Sequence, residues 1–284
     1  MKIRTISHQD IQLEVREAGA ENGKLMVLLH GFPECWSTWR HQIAPLVQAG
    51  FRVVVPNMRG YGRSSKPKDY RRYHLDKLIT DVEAIRLFYQ AERFHLVGHD
   101  WGGAVAWWYA LHHEAKLYSL SVLNLPHPLA FLTKLKGSPA QMLKSWYMFY
   151  FQIPFLPEFV LKIGRFAILK KILKASSTRH AYDAEDFRLL EEAWREPGAI
   201  QAMVNYYRAL LRNLRLPESD GTLHLPVQIL WGEKDLALSV QGAHDSMRFL
   251  KNGTLTLYPD ATHWLAHDKP EEISRKLIDH ALGA

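Results

Sequence analysis

The chain predicts an α/β fold: a mostly parallel, twisted sheet with helices on both faces, interrupted by an all-helical insertion. Three observations predict it. Short, continuous, β-branched apolar runs recur along the chain, as strands buried on both faces require. Stretches of helical period separate these runs. Strand character then stops at Leu125 and resumes only at Val227. A sheet-bearing core over residues 1–125 and 218–284, with a helical cap inserted over 126–217, accounts for all three.

The elements follow in order. Ile11-Gln12-Leu13-Glu14-Val15 alternates and reads as an antiparallel strand. Leu25-Met26-Val27-Leu28-Leu29 is a continuous apolar strand closed by His30-Gly31-Phe32-Pro33. Further strands are Phe51-Arg52-Val53-Val54-Val55, Phe94-His95-Leu96-Val97 and Leu120-Ser121-Val122-Leu123. Helical stretches lie between them, at 37–48, 75–90 and 103–113. Pro126-His127-Pro128 marks a break. From 129 to 216 the period is helical and the composition is rich in Trp, Tyr, Phe and Lys. Strands return at Val227-Gln228-Ile229-Leu230-Trp231 and Leu255-Thr256-Leu257-Tyr258, and a helix closes the chain at 270–282.

Composition narrows the class. The 284 residues are 47% hydrophobic and 23% charged, as in a soluble globular protein. The first eight residues lack the apolar core of a signal peptide, and no apolar run approaches a membrane span. Cys35 is the single cysteine, so no intrachain disulfide forms. A cytoplasmic protein is therefore expected. The net charge is +7, and the segment 161–175 mixes Leu, Ile and Phe with Lys162, Lys170, Lys171 and Lys174. It is expected to bury its apolar face and leave the lysines in water. No nucleic-acid motif accompanies the charge, so neither nucleic acid nor membrane is an expected partner.

The stretch Gly98-His99-Asp100-Trp101-Gly102-Gly103 carries the chemistry. A strand precedes it and a helix follows, the layout of a nucleophile elbow. The glycines allow the sharp turn, and the helix N-terminus favours an anion. The central residue is Asp, not Ser. A carboxylate nucleophile attacks an electrophilic sp³ carbon and leaves an alkyl ester on the enzyme. Asp235, in Gly232-Glu233-Lys234-Asp235, and His263, in Asp260-Ala261-Thr262-His263-Trp264, follow two later strands. Ligands sit beyond the carboxyl ends of such strands. Nucleophile, acid, histidine is also the chain order of an Asp or Ser hydrolase on this sheet. Glu233 competes with Asp235 for the acid role.

On these motifs the chain resembles α/β-hydrolases of the soluble epoxide hydrolase type. His30-Gly31-Phe32-Pro33-Glu34, Met58-Arg59-Gly60-Tyr61-Gly62-Arg63-Ser64 and Asn124-Leu125-Pro126-His127-Pro128 add to the resemblance, which covers nearly the whole length. Asn57 departs from the Asp common in the family, and Ala261-Thr262 departs from the Gly that often precedes the histidine. The resemblance implies two cap tyrosines facing the nucleophile, Tyr150 in Tyr150-Phe151-Gln152-Ile153-Pro154 and Tyr207 in Tyr207-Arg208. Tyr147 and Tyr206 are their rivals. Tyr206 and Tyr207 point about 100° apart on a helix, so both should not face the site.

The implied reaction adds water to a small apolar epoxide and releases a vicinal diol. Asp100 attacks a ring carbon while Tyr150 and Tyr207 polarise the oxygen. His263, oriented by Asp235, activates water against the resulting ester, and the N–H groups of Phe32 and Trp101 receive the oxyanion. His30 is expected to brace the oxyanion loop, and His99 to be structural. No metal and no organic cofactor is expected, and the protein is a monomer or homodimer. The alternative is a haloalkane dehalogenase with the same Asp, whose halide would need N–H donors such as Trp101 with Trp146 or Trp194. A non-catalytic receptor on this fold is disfavoured by the intact set of reactive residues, and an esterase by Asp at position 100.

Overall fold

The apolar runs pair into one sheet. The computed structural model describes residues 1–137, 146–212 and 219–284. Among them are strands β1 (Lys2–His8), β2 (Ile11–Ala18), β3 (Lys24–Leu29), β4 (Phe51–Pro56), β5 (Phe94–His99), β6 (Leu117–Leu123), β7 (Leu223–Gly232) and β8 (Leu250–Tyr258). Their spatial order is β1-β2-β4-β3-β5-β6-β7-β8. The β1–β2 and β2–β4 pairs are antiparallel and the remaining pairs are parallel. β1 was not expected. Its two isoleucines, Ile3 and Ile6, are three apart and only Ile6 is buried, so the strand has no period of two to read.

Alternation along the central strands feeds two cores. Leu25, Val27 and Leu29 of β3 join one apolar cluster, while Met26 and Leu28 join the other. Helices α2 (Leu75–Phe88) and α3 (Trp101–His113) cover the first face with Leu78, Val82 and Val105. Helices α1 (Arg40–Gln48) and α11 (Pro270–Leu282) cover the second with Leu46, Ile273 and Leu277. Every residue of β5 is buried, which places its carboxyl end at the centre of the molecule.

Between β6 and β7 the described residues are helical: α4 (Pro128–Gly137), α5 (Trp146–Tyr150), α6 (Leu156–Ser176), α7 (Ala184–Arg195) and α8 (Ala199–Arg212). The expected junction at 217 and 218 lies outside the described residues. In α6, Leu161, Phe166, Leu169 and Leu173 turn inward while Lys171 and Lys174 stay in water, as amphipathic burial requires. These helices are bonded to the strand ends below them. Trp194 donates to Pro33 O at 2.6 Å, Tyr206 to Arg59 O at 2.6 Å, and Trp264 to Ser176 Oγ at 2.8 Å.

Candidate active site

The turn after β5 is tight because three glycines make it so. A Cβ on Gly98 would sit 2.3 Å from Gly102 O, and one on Gly102 2.3 Å from Leu29 O. One on Gly31 would sit 2.4 Å from Asp100 Cβ. Strand, helix and the loop after β3 therefore close around Asp100, which is held at φ 50° and ψ −120°. A non-glycine residue in such a region costs about 1–3 kcal/mol, and the surrounding packing must hold it there.

Main chain and imidazole then fix the carboxylate. Phe32 N donates to Asp100 Oδ1 at 2.7 Å. Trp101 opens α3, so its N–H has no acceptor within the helix. His263 Nε2 stands 3.5 Å from Asp100 Oδ2, and its Nδ1 donates to Asp235 Oδ2 at 2.7 Å. Asp235 also accepts from Ala237 N, Leu238 N and Asn124 Nδ2 at 2.7, 2.9 and 2.8 Å. Burial opposes its charge, but the His263 charge and these donors hold its carboxyl below the usual range. Burial likewise opposes charge on His263. The Asp235 charge overrides it, and with the Asp100 bond and charge it pushes the imidazole up to about 10. Glu233 is exposed and takes no part.

Above Asp100 lies an apolar cavity of about 100 Å³, lined among others by Trp101, Trp108, Leu125, Phe131, Tyr147 and Tyr207. Burial pushes both phenols up, and the Asp100 charge adds to it. They therefore stay protonated at neutral pH and can donate to an anion forming between them and the carboxylate.

This geometry has close relatives. An α/β hydrolase fold family model matches residues 24–163. The AB hydrolase superfamily protein YfhM of Bacillus subtilis is 39% identical over 99% of this chain and 98% of its own. Human epoxide hydrolase 4 is 38% identical over 92% of this chain and 73% of its own. The chain belongs to the epoxide hydrolase family of α/β hydrolases. Among solved structures, a Bacillus megaterium epoxide hydrolase bound to an inhibitor superposes with a TM-score of 0.90 at 28% identity, over 99% of this chain and 100% of that one.

In this α/β hydrolase the structure brings together Asp100, Asp235, His263, Phe32, Trp101 and Tyr207. It does not bring Tyr150. That side chain is half-buried beside the exposed Trp146, with ring centroids 6.1 Å apart, and it does not line the cavity. Tyr147 takes the place expected for it. The two positions differ by about 60° around a helix, and the inward face of α5 is the one carrying Tyr147 and Met148. Of the neighbouring pair on α8, Tyr207 faces the cavity while Tyr206 spends its hydroxyl on Arg59 O.

Two buried residues near His263, Glu34 and His267, are not singled out by the sequence. Buried Glu34 accepts from Tyr182 at 3.0 Å, lies 2.7 Å from His267 Nε2, and lies 3.5 Å from His99 Nδ1. His99 Nε2 in turn donates to His263 O at 2.8 Å. The Glu34 carboxyl is held well below the usual range, its burial overridden by the His267 charge. The available signal was a carboxylate directly after the apolar Phe32-Pro33 and a histidine one helical turn beyond His263. His30 accepts from Met58 N at 3.0 Å and donates to Gly31 O at 3.0 Å, so it braces the loop. Burial lowers it to about 4, which keeps it neutral. At the departure Asn57, the side chain donates to buried Glu14 at 2.6 Å, so a neighbouring strand supplies the carboxylate there. Cys35 is buried with its thiol pushed up to about 11, which leaves it inert.

Proposed function

We propose that this hydrolase adds water to an apolar epoxide and releases a vicinal diol. The observation that carries the reading is two protonated phenols, Tyr147 and Tyr207, lining one apolar cavity with a carboxylate, Asp100. A forming alkoxide is a strong base and takes a proton or hydrogen bond from a phenol, including one whose acidity burial has weakened. A departing halide does not need one. The family's epoxide hydrolases support the same reading.

The route has two steps. Asp100 attacks a ring carbon, the C–O bond of the ring breaks, and Tyr147 and Tyr207 receive the oxygen. The product is a hydroxyalkyl ester on Asp100. His263, held by Asp235, then removes a proton from water, which attacks the ester carbonyl. The N–H groups of Phe32 and Trp101 stabilise the oxyanion, a donation worth roughly 10²–10³ in rate per donor. The C–O bond to the product breaks, and the departing oxygen takes the proton from His263. The carboxylic acid left at Asp100 returns its proton, through solvent, to the phenol that protonated the ring oxygen, so Asp100 and the tyrosine are both restored. In this reading residues 126–217 act as the cap and no metal or organic cofactor enters.

A haloalkane dehalogenase is the weaker reading. The Trp194 indole already donates to Pro33 O, and Trp146 is 62% exposed. Incubation with styrene oxide, 1,2-epoxyoctane and 1-chlorohexane separates the two. Diol from either epoxide supports the proposal, and halide release without any diol overturns it.

A further inference from the structure

Among the described residues, the cavity runs from Asp100 toward the ends of β6 and β7, where Leu125 and Leu238 line it, and not toward the end of β3, which Phe32 follows. Its walls also include Leu75, Trp108, Phe131 and Leu132, and Tyr147 and Tyr207 line it as well. Beyond the phenols stands Phe151, 5% exposed. Its ring centroid is 4.8 Å from Tyr207, 5.7 Å from Phe32 and 6.0 Å from Tyr147. Phe32 closes the group at 5.3 Å from Tyr207. Neither Phe32 nor Phe151 lines the cavity. On the β3 side, the rings of Phe32 and Phe151 therefore pack against Tyr207 and against each other.

This plug is fixed in place. Arg208, the residue after Tyr207, donates to Phe151 O at 3.0 Å and to Ile153 O at 2.9 Å. It is paired with buried Glu158 at 3.1 Å. Gln152 donates to Tyr207 O at 3.1 Å. The backbone around Phe151 is thus tied to α8 by charge-assisted bonds, and displacing that segment breaks them.

We infer that the substrate is a terminal epoxide, with one apolar substituent on one ring carbon and only hydrogens on the other. The inference rests on the proposed epoxide hydrolysis. An oxirane with its oxygen at the two phenols and its carbons above Asp100 spreads those carbons to either side of the carboxylate. A substituent on one carbon enters the cavity. A substituent on the other meets Phe151 and Phe32, and a filled aromatic cluster does not admit an added alkyl group without displacement.

The test compares 1,2-epoxyoctane with trans-2,3-epoxyoctane, which has the same formula. The terminal isomer should exceed the internal one in kcat/KM by about 100-fold, the penalty expected for forcing an alkyl group into packed space. Phe151→Ala should narrow that ratio about tenfold. The ratio is the readout because a variant that merely loosens the cap lowers both substrates together. Phe151→Leu keeps more of the packing, should narrow the ratio less, and serves if the alanine variant does not fold. Internal turnover within about fivefold of terminal in the parent enzyme overturns the inference. So does an unchanged ratio in both folded variants. If neither isomer gives diol, as with styrene oxide above, the epoxide reading itself has failed, which is a distinct result.

Discussion

The reactive groups of the sheet and those of the helices above it are held by different means. Asp100 is fixed by a strained turn, three glycine contacts and the Phe32 N–H, and Asp235 by two main-chain N–H groups. The phenol rings of Tyr147 and Tyr207 are placed instead by their neighbours' side chains, with the Trp101 side chain hydrogen-bonded to Tyr207. Their rings stand 5.7 Å apart and are wedged among Phe32, Trp101 and Phe151. The charges that must not move are built from backbone, and the neutral donors from side-chain packing. Substitutions in the sheet half should therefore end the reaction outright, and those in the helical half should grade it.

The largest effect should come from Asp100→Ala. Turnover should fall by at least about 10⁴-fold, because among the described residues no other carboxylate, and no thiol or hydroxyl besides the two phenols, lines the cavity. The melting temperature should change little, since the turn is set by the glycines around it. Activity within tenfold of the parent, measured as diol formed, would sink the role assigned to Asp100.

His263→Gln should stop turnover just as firmly, yet leave the first step intact. The carboxylate needs no base to attack, and only the water does. Intact-protein mass spectrometry after incubation with an epoxide should show an adduct of the whole epoxide mass, located by fragmentation on Asp100. A folded variant that never acquires the adduct would refute the two-step route.

The helical half should respond by degrees. Tyr147→Phe and Tyr207→Phe should each slow ester formation by about 10- to 100-fold, and the double variant should slow it further. Tyr150→Phe should stay within about twofold of the parent, because its ring lies outside the cavity. Single-turnover rates decide this, and a large loss at position 150 with none at 147 would reverse the assignment.

The smallest effect concerns stability. His263 titrates at about 10 in the fold against 6.5 when free, so the fold favours its protonated form. That contribution is complete below about pH 6.5 and fades as pH rises toward 10. The melting-temperature gap between the parent and His263→Gln should therefore shrink over this window. A gap that stays constant from pH 6.5 to 10 would show that His263 is not held protonated.

The same contrast governs what could be read before folding. Asp100, Asp235 and His263 announce themselves because each ends a strand, and a strand end has a fixed place in a parallel sheet. Glu233 could be set aside only once its side chain was seen in water. The tyrosines lack such a marker. Arg208 marks its neighbour Tyr207 in the sequence, and the Gln152–Pro154 context points to Tyr150 over Tyr147, whereas the rotation of a five-residue helix turns Tyr147 to the cavity. The Glu34–His267 pair was illegible for a related reason. The two residues are 233 positions apart, and only the packing of α10 (Leu265–Asp268) against the loop after β3 brings them together.

One imidazole between two carboxylates also sets an order of events. While Asp100 is free, its charge and that of Asp235 together keep a proton on His263, and the enzyme at rest carries no active base. On the proposed route the first step turns Asp100 into a neutral ester. The part of the attraction that Asp100 supplies is then gone, and the imidazole holds its proton less firmly. The base is thus switched on by the arrival of the intermediate it must destroy. It falls silent again when the carboxylate returns, and the cycle keeps time without a moving part.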